Sequence, residues 1–168
     1  MEEIEMSLER ERAAPTDWDW LVGHWTVRHR KLRERLVGST EWVSFEGTCI
    51  NWPLLGGRGN VDDNVFHAPD GTYSGVGLRA LDSGTGLWSI WWLDSRAPDS
   101  VDVPVRGGFR DGVGTFLCED VWNGTPVTVR FRWSRITGET AVWDQAFSTD
   151  GGGAWEINWI MDFTRSKK

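Results

Sequence analysis

The stretch Trp155-Glu-Ile-Asn-Trp-Ile-Met-Asp-Phe-Thr-Arg165 decides the fold. Its odd positions Trp155, Ile157, Trp159, Met161 and Phe163 are apolar, whereas Glu156, Asn158, Asp162 and Thr164 are polar and point the other way. Alternation of period two makes a β-strand with one dry and one wet face. Working backwards, Val127, Val129, Phe131 and Trp133 alternate with Thr128, Arg130, Arg132 and Ser134. Ala141, Trp143, Gln145 and Phe147 share one side of the strand before the last. An unpaired amide on an apolar face costs about 1–3 kcal/mol, so Gln145 requires a partner or a ligand.

Similar runs predict strands near 24–33, 40–50, 60–66, 72–81, 87–94, 101–108, 113–122, 125–135, 140–148 and 155–165. Pro69-Asp70-Gly71, Asp82-Ser83-Gly84-Thr85-Gly86, Asn123-Gly124, Thr137-Gly138 and Asp150-Gly151-Gly152 supply hairpin turns between them. Before the first strand, Thr16-Asp17-Trp18-Asp19 reads as a helix cap, starting one or two turns that carry Trp18, Leu21 and Val22 inward and stop at Gly23. About ten meandering strands without crossover helices predict an all-β fold, a single antiparallel up-and-down barrel of about 8–10 strands with a short N-terminal helix.

At 168 residues the chain fits one domain. Residues 1–15 are expected to form a flexible acidic arm, with five acids and two bases among the first fourteen, and 16–168 the barrel domain. Lys+Arg 18 against Asp+Glu 25 leaves a net charge of −7, which disfavours nucleic acid and anionic membranes as partners. The opening residues lack the basic and apolar regions of a secretory signal, so a cytoplasmic location is expected. Cys49 and Cys118 are read as reduced thiols.

Gly23-His24-Trp25, opening the first strand after a short helix, resembles the G-x-W signature of the calycin superfamily of lipocalins, avidins and fatty-acid-binding proteins. The resemblance implies that Trp25 packs at the closed end of the barrel under Arg165. The stretches Gly59-Asn-Val-Asp62, Leu87-Trp-Ser-Ile-Trp-Trp-Leu-Asp-Ser95, Val129-Arg-Phe131 and Trp155–Arg165 resemble an uncharacterised bacterial family of small Trp-rich calycin-like barrels. That likeness spans most of the chain and implies the fold without an activity.

Other motifs carry little chemistry. Ser148-Thr-Asp150-Gly-Gly152-Gly-Ala-Trp155 fits the Asp-box, but a single copy reads as a turn in which Asp150 bonds its own backbone. His24 and His29 stand an odd number of residues apart and face opposite ways, and His67 reads as a solvated turn residue. No metal site and no cofactor is expected.

The site is expected inside the barrel. Tyr73, Arg79, Trp92, Trp143, Gln145, Phe147 and Trp159 are the candidate ligand-binding residues. Asp94 and Asp120 are the candidate catalytic acids, with Tyr73 and Arg79 as their natural partners. Residues 28–35 carry five of the basic side chains, and Lys31 and Arg33 could bend over the barrel mouth to draw in a carboxylate or phosphate. Leu87–Leu93 is apolar on both faces, so one face should be covered by another chain or by the N-terminal arm, and a homodimer through Trp91 or Trp88 is expected. The two functions weighed are binding of a small hydrophobic or aromatic molecule in a Trp-lined cavity, and a cofactor-independent isomerase or cyclase using one buried acid.

Overall fold

A computed structural model of the chain describes residues 15–167, so all but the last residue of the expected acidic arm lies outside the described residues. The strands are β1 (Gly23–Leu32), β2 (Trp42–Leu54), β3 (Gly59–Ala68), β4 (Gly71–Asp82), β5 (Leu87–Asp94), β6 (Val105–Arg110), β7 (Val113–Trp122), β8 (Thr125–Ser134), β9 (Thr140–Ser148) and β10 (Glu156–Arg165). Each pairs antiparallel with the next, and β10 returns to pair with β1, closing a ten-stranded barrel. Closure leaves no edge strand to template aggregation. No helix among the described residues is long and apolar enough to cross a membrane.

Several local expectations change. The helix shrinks to one 3-10 turn, Asp19–Leu21, and the Thr16 cap is made by its carbonyl, which accepts from the Asp19 amide at 3.2 Å, not by its hydroxyl. Trp18 and Leu21 are buried, but Val22 is exposed. The strand expected at 101–108 begins at Val105, with Val101 making only an isolated bridge to Leu93.

The larger correction lies in the deciding stretch itself. A register shift between Ile157 and Trp159 sets Ile157 opposite Ala146 and Glu156 opposite Phe147, while Trp159 pairs with Gln145. The extra residue of this bulge is Asn158, which is fully buried instead of facing water.

The alternation packs one end of the barrel solid. Trp18 is a plug, its ring 4.9 Å from Phe109, 5.7 Å from Phe116 and 6.0 Å from Trp133. Trp25 is buried beside it and donates to the Leu21 carbonyl at 2.7 Å. Arg165 pairs with Trp25 across β1 and β10, and its guanidinium lies 4.2 Å from the Trp25 ring. It donates to the carbonyls of Gly138, Val22 and Trp20 at 2.7, 2.7 and 2.5 Å. Gly23 has φ +115, and a Cβ there would meet the Arg165 guanidinium at 2.9 Å, so this position requires glycine.

Strand β5 resolves its two apolar faces. Trp88 and Ile90 point inward, and Trp88 donates to Asp17 at 2.9 Å, which removes Trp88 as an interface residue. Outside, the register aligns Trp52, Val61, Leu78 and Trp91 in one row across β2 to β5, with Trp52 and Leu78 exposed.

Candidate ligand-binding site

Because β1, β3, β5, β7 and β9 all end on the side opposite the Trp18 plug, the loops after them surround an open end. Below them lies a cavity of ≈ 390 Å3 walled by Trp92, Phe131, Trp143 and Trp159 and rimmed by Lys31, Arg35, Arg96 and Asp102. A neighbouring space of ≈ 400 Å3 continues along Trp122, Phe147, Cys118 and Asp120. Trp92 lies so close to β4 that a Cβ on Gly75 would fall 2.2 Å from its ring. Gly75 therefore sets how far Trp92 stands back from the cavity.

The floor is polar. Asp62 on β3 and Arg79 on β4 form a buried ion pair, with both side chains about 95% removed from solvent. Asp62 also accepts from Asn64 at 2.6 Å and from the Gly77 amide at 3.2 Å. Asn60 accepts from Arg79 at 2.9 Å and from Asn51 at 3.0 Å. Satisfying the carboxylate this thoroughly compensates its desolvation. Two buried donors, Arg79 Nε and Trp133 Nε1, have no hydrogen-bond partner among the described residues, and both residues line the cavity.

Arg79 thus pairs with Asp62, not with Asp94 or Asp120. Gln145, also on the wall, donates to Asn158 Oδ1 at 2.8 Å, so the bulge supplies the partner its burial demanded. Asp94 is clamped by Arg96, whose Nε and Nη2 donate to its two carboxylate oxygens at 3.0 and 2.8 Å. Burial alone would raise the Asp94 pKa, but the Arg96 hydrogen bonds and charge outweigh it and hold the carboxyl below its usual range. Asp120 accepts from its neighbour's amide, Val121, at 2.7 Å. The cavity acid whose pKa is pushed up is Asp102, through partial burial and then the charges of Asp120 and Asp94.

The cationic rim also differs in detail. Lys31 lines the cavity, its Nζ 4.0 Å from the Trp159 ring centre and 3.4 Å from the Tyr73 hydroxyl. Arg33 instead turns outward to Glu41 at 3.1 Å, and Arg35 takes the place at the mouth, stacked 4.9 Å from Trp122 and 5.4 Å from Phe147. Burial lowers the Lys31 pKa to about 8, with help from Arg35 and Arg96. Tyr73 stacks on Phe66 at 4.6 Å, and Arg96 covers its ring at 3.7 Å.

Beneath Lys31, His29 is buried and accepts at Nδ1 from Trp159 Nε1 at 3.1 Å. Burial and then Lys31 lower its pKa from 6.5 to about 3, so it is a neutral spacer of the wall. His24 is exposed, and His67 is exposed with Nδ1 3.3 Å from the Thr72 hydroxyl. Both cysteines are free, Cys49 buried and Cys118 half-buried. The Asp-box is a turn, in which Asp150 accepts from Ser148 at 2.7 Å and from the Ala154 amide at 3.0 Å.

No protein-family model and no curated protein matches the chain. Among solved structures, the S-type phycobiliprotein lyase CPES from Guillardia theta is similar with a TM-score of 0.61 at 8% identity, over 90% of this chain and 91% of that one. EF1p2_mFAP2b bound to DFHBI aligns with a TM-score of 0.48 at 11% identity, over 89% of this chain and 97% of that one. The likeness to the lyase shows the fold that the two chains share, a closed antiparallel barrel with meander topology.

Proposed function

We propose that this barrel binds a small, largely aromatic molecule in the cavity above the Asp62–Arg79 pair. The observation that carries the reading is the Trp-lined apolar cavity closed below by the buried Asp62–Arg79 pair. Asp62 already neutralises Arg79, so the floor favours a neutral acceptor such as a carbonyl or hydroxyl over a second carboxylate. A solved neighbour of the same fold, the phycobiliprotein lyase, adds support.

Native mass spectrometry of the freshly purified protein, followed by tryptophan-fluorescence titration with aromatic carbonyl compounds, tests this reading. A carried mass or saturable quenching is expected in the wild type. Both are expected to vanish in Met161→Trp, which fills the cavity, and to persist in Trp52→Ala on the outer wall. No carried mass and no saturation with any probe would overturn the proposal.

The isomerase or cyclase alternative needs a proton carrier in the same cavity. Asp94 and Asp120 stay candidate bases on its rim, and the raised pKa makes Asp102 the better donor. A passive binder retains ligand affinity in Asp94→Asn, Asp102→Asn and Asp120→Asn, whereas an enzyme keeps binding and loses turnover in one of them. The outer row of Trp52, Val61, Leu78 and Trp91 supports the homodimer, which Trp91→Glu is expected to split to monomers in sedimentation velocity.

A further inference from the structure

The chain carries eighteen basic side chains, yet only three are lysines, Lys31, Lys167 and Lys168. The last two follow the final strand, so Lys31 is the one lysine within the barrel strands. At every other basic position of these strands the sequence uses arginine, whose guanidinium stays protonated and is not a nucleophile. The single amine sits in the cavity wall. Position alternation in β1 sends Lys31 inward with His29 and Val27, while Arg28 and Arg30 point out to Glu46 and Asp162.

Around the amine, the near contacts are an aromatic face and a phenol, with no carboxylate at ion-pair distance among the described residues. The groups that face it are His29 on its own strand, Arg35 from the β1–β2 loop, Asp70 in the β3–β4 turn, Tyr73 on β4, and Asp94 and Arg96 at the end of β5. Asp94 is committed to Arg96. A desolvated lysine beside other cations is the usual setting of an amine that reacts with carbonyl groups.

We propose that Lys31 is a covalent attachment site, whose amine condenses with the aldehyde group of an aromatic ligand held in the cavity. This rests on the binding reading above. The Nζ lone pair attacks the carbonyl carbon, forming the C–N bond as the C=O π pair moves to oxygen, which takes a proton. The carbinolamine then loses its hydroxyl as water, and the nitrogen proton leaves as C=N forms. Amine and aldehyde give imine and water, with no change of oxidation level. The Tyr73 hydroxyl stands 3.4 Å from Nζ, within reach to relay a proton to the departing oxygen. Once protonated, the imine keeps its positive charge over the Trp159 face, where the ammonium now sits.

The test uses the full chain with naphthaldehyde and sodium cyanoborohydride, which reduces an imine to a stable amine that peptide mass mapping can locate. Naphthylmethanol, which cannot condense, reports binding alone through tryptophan quenching. Lys31 is expected to be labelled roughly tenfold or more faster than Lys167 or Lys168, with a rate that climbs with pH to a midpoint near about 8. Excess naphthylmethanol should suppress that label. Lys31→Arg and Lys31→Met should lose it, with a cooperative urea transition showing that they fold. If naphthylmethanol binds but the label falls only on the chain termini, the attachment site is refuted and the cavity reading stands. If neither compound binds, the cavity reading fails and the attachment site fails with it.

Discussion

The two ends of this barrel are built from the same ten strands and filled in opposite ways. At the closed end, Trp18 meets Phe109, Phe116 and Trp133 ring to ring, and all three donor groups of Arg165 reach backbone carbonyls. Around the open end, Trp92 and Trp143 meet Trp159 edge to face, all three also border a cavity, and Lys31 and Arg35 rest on rings. The difference separates stability from binding. Rings enclosed on every side contribute to folding alone, whereas rings that also border a cavity keep part of their apolar area for an occupant.

If that division is right, the largest losses of stability lie at and below the floor. Asp62→Asn leaves Arg79 buried without a counter-charge and is expected to cost about 3–5 kcal/mol in urea unfolding. Trp18→Ala removes the plug and is expected to cost about 3–5 kcal/mol. A mouth substitution costing as much as either would break the comparison.

Next in size is a pH effect carried by His29. Its folded pKa of about 3 lies below the ordinary 6.5, so the folded state binds fewer protons there. The stability it contributes is complete above 6.5 and is lost as pH falls towards 3, by at most about 1.4 kcal/mol per pH unit. Urea midpoints measured down that range should fall more steeply in the wild type than in His29→Gln, which cannot titrate. Equal slopes would show that the wall beneath Lys31 is not dry.

The architecture was legible because period-two alternation and turn chemistry are local signals, and in a meander local order is also spatial order. All ten strands were readable for this reason. The floor was not. In Asn60-Val-Asp-Asp-Asn-Val-Phe66 the polar residues Asn60, Asp62 and Asn64 alternate with Val61 and Val65, so composition assigns the valines to the core. The structure turns the polar face inward, because Asn60, Asp62 and Asn64 meet Arg79, Gly77 and Gly75 across the sheet and satisfy one another. Cross-strand pairing of polar groups is a tertiary property that one strand does not carry. The bulge at Asn158 escaped for a similar reason, since it reverses Glu156 and Ile157 without altering the alternating pattern. Lys31 was visible within a basic run, but the choice of Arg35 over Arg33 as its companion depends on the course of the loop.

The smallest effect is expected where charge is densest. Arg96 and Asp94 make a bidentate pair, but the Arg96 side chain is 56% exposed, so water screens what the geometry supplies. Arg96→Gln should change stability by no more than about 0–1 kcal/mol. Its chemical effect should be larger, because Asp94, Lys31 and Tyr73 are all tuned by that one cation. Asp94 loses the hydrogen bonds that held its carboxyl below the usual range, and burial then pushes its pKa up. Lys31 loses a neighbour that lowered its pKa, so its amine stays protonated to higher pH. Trapping of naphthaldehyde near neutral pH should therefore slow in Arg96→Gln, with the midpoint of its pH profile moved upward and the urea midpoint almost still. A fall in stability without that shift would make Arg96 a structural residue, and the open end would then differ from the closed end only in being less full.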